Sequence, residues 1–232
     1  MTRITAAVFD KDGTLFDFQA SWGAFALSFI DQLARGDAVQ RAVLADVIGF
    51  DLDTGRFLPH SVAIAGTSED LADAVVPYLT DGPSRSALIA HLTTAALDVE
   101  MQPAVPLAPC LDGLAQRGLA LGLVTNDSEQ GARVHLEHSG ILAAFGFVAG
   151  YDSGHGAKPS PGPLLAALSA FGTAPDRAVM VGDSTHDLIA GRAAGMWTVG
   201  VLTGIAATDE LAPYADAVLP DIGHLPGWLD AR

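Results

Sequence analysis

The 232-residue chain has a single cysteine, Cys110. That excludes an intramolecular disulfide and points to a reducing compartment. Lysine is almost as scarce: Lys11 and Lys158 are the only two, and residues 17–101 hold none. Half of the residues are hydrophobic, yet no apolar run reaches the ~20 residues that a membrane span needs. Acidic Asp10 and Asp12 follow the start at once, so the N-terminus does not read as a signal peptide. The expected location is cytoplasmic. A basic surface is missing too. With a net charge of −15, the chain has little with which to displace phosphate counterions, which argues against a nucleic-acid partner. The length suits one large domain or two small ones.

What is present begins with VFDKDGTLFD, residues 8–17. Three acidic side chains crowd the end of an apolar run. On an extended chain Asp10 and Asp12 point to the same side and Lys11 to the other, so Lys11 is expected to serve structure, away from both. Two carboxylates about 4 Å apart repel by roughly 4 kcal/mol at an effective dielectric of about 20. The pair calls for a compensating charge.

Short apolar runs recur at 4–9, 119–124, 145–150, 178–182, 197–202 and 217–219. They barely alternate, as strands buried on both faces should not. Helical patterns fall between them. One follows Asp127 as its cap, one starts at Ser160-Pro161 and ends near Gly172, and one follows Asp183-Ser184. This alternation predicts a parallel α/β sheet. Residues 17–101 break it. Phe18, Trp22, Phe25, Ala26, Phe29, Ile30 and Leu33 step by three and four, a helical stripe read as packing core. Further helices fit 37–49, 68–79 and 84–99, with no strand. The expected organisation is a Rossmann-like core, 1–16 and 102–232, and a helical cap, 17–101, with Pro103, Pro106 and Pro109 as a hinge.

Ligands of open α/β sheets bind beyond the carboxyl ends of the strands. There stand Asp10 and Asp12, then Thr125-Asn126, then Gly182-Asp183, with Lys158 ahead of a helix. The set suits phosphoryl transfer. Asp10 can attack phosphorus and form an aspartyl phosphate. Mg²⁺, which prefers a few carboxylates plus phosphate oxygens, supplies the compensating charge. Asp12 can protonate the leaving oxygen and then deprotonate water. Gly13 allows the sharp turn. Thr125 can bind phosphate oxygens, and Lys158 can oppose the developing negative charge.

Asp10-Lys11-Asp12-Gly13-Thr14-Leu15, Thr125-Asn126, Lys158-Pro159 and Gly182-Asp183-Ser184 with Asp187 resemble the four ordered motifs of the haloacid dehalogenase (HAD) superfamily. The insert resembles the C1 cap of its phosphoglycolate phosphatase-like branch. The resemblance implies that Asp10, the Asp12 backbone carbonyl and Asp183 hold Mg²⁺, and that Asp187 and Ser184 orient the site. It implies a phosphatase acting on a small, anionic phosphate monoester, phosphoglycolate first, beneath a cap that closes over it. Asp12 fits phosphatases and phosphomutases of the family. The cap without lysine counts against phosphonoacetaldehyde hydrolases and β-phosphoglucomutase-like enzymes, although a phosphomutase and a non-catalytic binding protein stay open as alternatives. Arg56, His60 and Ser61, in an irregular loop, are candidates for reading the substrate. His135 and His138 read as a surface pair, His186 as a neighbour of the site, and His155 as structural.

Overall fold

The structure, a computed structural model, describes residues 3–231 apart from 65, 80 and 81. Its centre is a parallel sheet of β1 (Ala6–Phe9), β4 (Ala120–Val124), β5 (Phe147–Ala149), β6 (Ala178–Gly182), β7 (Trp197–Val201) and β8 (Ala217–Leu219). They lie in the order β5-β4-β1-β6-β7-β8. The apolar runs are these strands. β1 is wholly buried because a neighbour and a helical layer cover every side of it. Its alternating residues serve two cores. Ala7 and Phe9 join the cluster on one face, with Leu111, Leu114 and Leu136. Ala6 and Val8 join the other, with Leu164 and Leu168.

The chain fills one side of β1 first, with β4 and β5, then returns to the other side with β6, β7 and β8. β1 therefore borders the point where the winding reverses, and a crevice opens at the carboxyl ends there. Register brings the chemistry to one level. Phe9 faces Leu123 on one side and Val181 on the other, so the residues after these strands emerge side by side. The backbone N–H of Asp10 still donates to the Val181 carbonyl at 2.9 Å.

Between β1 and β4 lies the helical insert, called the cap below. Its helices are α1 (Phe18–Ala34), α2 (Ala38–Ile48), α3 (Ser68–Val75) and α4 (Arg85–Ala96). Asp17, Asp37, Thr67 and Ser84 each cap one with a side-chain oxygen. These helices bury their own core, including Phe29, Ile30, Leu44, Ile48, Leu88 and Leu92. The segment read as irregular holds a minimal hairpin, β2 (Phe50–Asp51) against β3 (Arg56–Phe57). Two-residue strands leave no periodic trace in a sequence.

The cap leaves and rejoins the core at adjacent points. Phe16 bridges Pro103, and Asp17 N–H donates to the Gln102 carbonyl at 2.8 Å. Part of the proline stretch belongs to a helix. Pro106 caps α5 (Leu107–Gln116), and Pro109 sits in its first turn, where a missing N–H costs no helical bond. Three more helices flank the sheet: α6 (Glu129–His138), α7 (Gly162–Phe171) and α8 (Thr185–Ala193). α6 is capped by Ser128, not Asp127. α7 starts after Pro161, without a side-chain cap.

Candidate active site

Asp10, Thr125, Lys158, Asp183 and Asp187 are all buried at the carboxyl edge of the sheet. The Lys158 ammonium lies 2.6 Å from Asp10 Oδ1 and 2.7 Å from Asp187 Oδ1, and it donates to the Val124 carbonyl at 2.8 Å. Its loop is held by Asn126, whose side chain donates to the Lys158 carbonyl and accepts from its N–H, both at 2.9 Å. Thr125 Oγ1 accepts the Asp127 N–H at 3.0 Å, which fixes the turn after β4.

Asp183 receives a hydrogen bond from Thr14 Oγ1 at 3.1 Å. Its carboxylate lies so close to Gly13 and Gly204 that a Cβ at either would collide with it. Gly13 also has φ +79°, the left-handed region open to glycine. Ser184 caps α8, and Asp187 Oδ2 completes the box by accepting from Ser184 N–H and Oγ. Asp187 is thus positioned by one oxygen and paired with Lys158 by the other.

Asp10, Asp183 and Asp187 each bring a carboxylate oxygen within 4.8 Å of one another. Such crowding suppresses ionisation. Burial, with Asp187 and Asp12 adding to it and Lys158 opposing, pushes Asp10 up to about 7. Burial, then Asp10 and Asp187, raise Asp183 well above the carboxylate range. Lys158 would be lowered by burial, but Asp10 and Asp187 outweigh it and hold the ammonium charged. One lysine does not balance three carboxylates. A hard, oxygen-bound divalent cation fits this donor set.

Asp12 is organised differently. Its carboxylate faces Lys11 Nζ at 3.0 Å and accepts the Trp22 indole N–H at 2.7 Å. Lys11 does not point away, because β1 ends at Phe9 and the following residues are no longer extended. Its ammonium, wholly buried, also meets Asp127 Oδ2 at 3.0 Å and His135 Nδ1 at 2.9 Å. Burial would lower the Lys11 pKa, but Asp12 and Asp127 raise it. The surface reading of His135 is therefore overturned, while His138 is exposed. His135 Nε2 lies 2.8 Å from the carbonyl of Ala96 in the cap. Burial, then Lys11, depress its pKa. The neutral ring accepts from Lys11 and donates to Ala96. A buried lysine needs counter-charges, and that demand was the signal for Asp127. Nothing in the sequence marked the Trp22 indole.

A cavity of about 120 Å³ joins Asp10, Asp12, Thr125 and Lys158 to the cap. Phe18, Trp22, Phe25 and Phe29 form part of its wall, so the aromatic stripe is lining as well as core. A second cavity of about 680 Å³ adjoins it at Lys158, Ser184 and His186, and includes His60 and Ser61. Arg56 is exposed on β3 and lines neither. His155 packs against Phe147.

A family model described as haloacid dehalogenase-like hydrolase matches residues 4–195. The pyrophosphatase PpaX of Bacillus velezensis is 31% identical over 229 residues, 97% of each chain. A phosphoglycolate phosphatase of Neisseria meningitidis is 30% identical over 236 residues, 97% of this chain and 92% of the other. Among solved structures, a HAD phosphatase from Thermococcus onnurineus aligns with a TM-score of 0.68 at 23% identity, covering 97% of this chain and 98% of that one. That last likeness is one of fold.

Proposed function

The chain belongs to the haloacid dehalogenase-like hydrolase family, and from that premise we propose a Mg²⁺-dependent phosphatase that passes the phosphoryl group of a small monoester to Asp10 and then to water. The observation that carries this reading is the buried grouping of Asp10, Asp183 and Asp187 around one Lys158 ammonium. It holds more negative charge than its own cation balances. Asp10, the Asp12 backbone carbonyl and Asp183 would hold the cation, which when bound would neutralise phosphate oxygens.

In the first step an Asp10 oxygen attacks phosphorus and the bond from phosphorus to the leaving oxygen breaks. Asp12, as the acid, gives its proton to that oxygen. In the second step Asp12 takes a proton from water. The water oxygen bonds to phosphorus, the acyl phosphate bond breaks, and inorganic phosphate leaves with Asp10 restored. Lys158, Thr125, Asn126 and the turn at Gly13 would receive the phosphoryl oxygens, with Ser184 and Asp187 holding Lys158 and α8 in place. Trp22 keeps the Asp12 carboxylate in contact with the cap, so proton transfer and closure go together.

Relatives named phosphoglycolate phosphatase support a small organic monoester as the substrate class. A phosphomutase draws less support: the cap has no lysine to address a second phosphate.

The test is phosphate release from a panel of small monoesters, with and without Mg²⁺, for the parent and Asp10→Asn. Mg²⁺-dependent release that disappears in the variant is expected. Formation of a phosphorylated isomer without free phosphate would favour a mutase, and no turnover of any ester a binding role.

A further inference from the structure

The walls around Asp10 describe the alcohol that the ester carries. This inference rests on the phosphatase reading above. From Asp10 and Asp12 the 120 Å³ cavity runs into the cap between Phe18, Trp22, Phe29, Phe57, Leu71 and Leu92. Among the described residues, no cap residue of either charge lines it. The Trp22 indole N–H is already given to Asp12, and the Thr67 hydroxyl to Asp70. Next to it, the 680 Å³ cavity carries Asp70 and Glu210 on its wall. Among the described residues that line either cavity, Lys158 is the only lysine or arginine. Its ammonium is engaged with Asp10, Asp187 and Val124.

A leaving group with its own carboxylate or second phosphate would lose water here and find no free lysine or arginine. Unpaired burial of an ion is strongly unfavourable, and Asp70 and Glu210 on the wall of the adjoining cavity add repulsion. An apolar leaving group gains instead from every carbon taken out of water. A dry cavity of about 150 Å³ lined by such side chains accepts a benzene ring, so this one, with the phosphoryl group at its Asp10 end, suits an alcohol no larger than a single small ring or a short branched chain. We propose that the substrate is a phosphate monoester of a neutral, apolar alcohol about one ring in size. The phosphoryl group sits at Asp10 and the alcohol packs against Trp22, Phe29 and Phe57. Phosphoglycolate would place its carboxylate on that apolar wall.

The experiment compares kcat/KM for benzyl phosphate, 2-phosphoglycolate and acetyl phosphate with the full chain and Mg²⁺. Benzyl rather than phenyl phosphate keeps the leaving oxygen an alkoxide, as in phosphoglycolate. Acetyl phosphate, which has neither ring nor carboxylate, reports phosphoryl transfer alone. Benzyl phosphate is expected to exceed phosphoglycolate at least tenfold. Leu71→Arg puts a guanidinium at a half-buried helical position on the wall. It should narrow that ratio by tenfold or more, whereas Leu71→Gln should not raise phosphoglycolate turnover. A parent that prefers phosphoglycolate, or hydrolyses acetyl phosphate but not benzyl phosphate, overturns this inference and leaves the phosphatase reading in place. An unchanged ratio in a folded Leu71→Arg also overturns it; if that variant does not fold, the ratio of the parent decides. No phosphate from any of the three overturns both readings.

Discussion

Removing the charge of Asp10 should make the metal-free protein more stable while abolishing turnover. Folded Asp10 keeps its proton up to about pH 7, whereas the ordinary value is 3.8. Between those values the folded state holds a proton that the unfolded chain has released, so stability falls as pH rises through the window. At 1.36 kcal/mol per pH unit the penalty reaches about 4 kcal/mol above pH 7. Asp10→Asn escapes it, and the Lys158 attraction that it forfeits is already counted in that raised value, so the net gain is about 4 kcal/mol. For a chain of this size that corresponds to about 8–16 °C in Tm. Thermal unfolding by circular dichroism in EDTA, at about pH 8 and about pH 5, reads it. The gain should be full at the higher pH and fall to less than half at the lower, where the folded parent retains its proton but the unfolded chain has largely released it. Excess Mg²⁺ should raise the parent more than the variant and close the gap. If Asp10→Asn melts at or below the parent near pH 8 in EDTA, the crowded-carboxylate argument is wrong.

Three further outcomes follow from the site. Trp22→Phe keeps the ring and deletes the indole N–H to Asp12. A hydrogen bond to a charged group contributes about 1.5–3 kcal/mol, so steady-state kinetics should show kcat down about tenfold or more with KM little changed. Lys11→Met leaves Asp12 and Asp127 facing each other without their buried cation. Urea unfolding should show a loss of about 3–5 kcal/mol, and a variant close to the parent would mean that the pairs only balance their own desolvation. Gly204→Ala drives a methyl into the Asp183 carboxylate. Calorimetric Mg²⁺ titration should show markedly weaker binding, and unchanged affinity would remove Asp183 from the cation site.

Much of this was readable in advance, for physical reasons. Strands buried on both faces must be apolar throughout, so ITAAVF and AVMVG announced β1 and β6. Carboxylates at the ends of such strands are costly, so they marked the site. What escaped depended on distance in space. His135 lies on a helix of polar average character, and only its contact with Lys11, 124 residues away in sequence, explains its burial. Lys11 was misdirected because alternation was carried past Phe9, where the strand stops. α5 was hidden by prolines that also suit a hinge. The cavity was hidden in a stripe that serves packing and lining at once: Phe18 and Phe29 are buried, while Trp22 and Phe25 are half-buried, and all four face the space.

The cap enters and leaves the core through neighbouring residues. Besides the Phe16–Pro103 bridge, Ala104 N–H donates to the Leu15 carbonyl at 2.9 Å, and Gln102 N–H to Ser21 Oγ at 3.0 Å. Ends held this close make the core nearly indifferent to what is threaded between them. Each doubling of a flexible insert adds only about 0.6 kcal/mol of closure cost. Lineages and engineers alike can therefore exchange the insert at one seam. A graft joined at Phe16 and Pro103 leaves the core's buried residues at 10–14, 125–127, 158 and 183–187 in place, and needs to supply two contacts: a donor to Asp12 where Trp22 stands, and an acceptor for His135 where the Ala96 carbonyl lies.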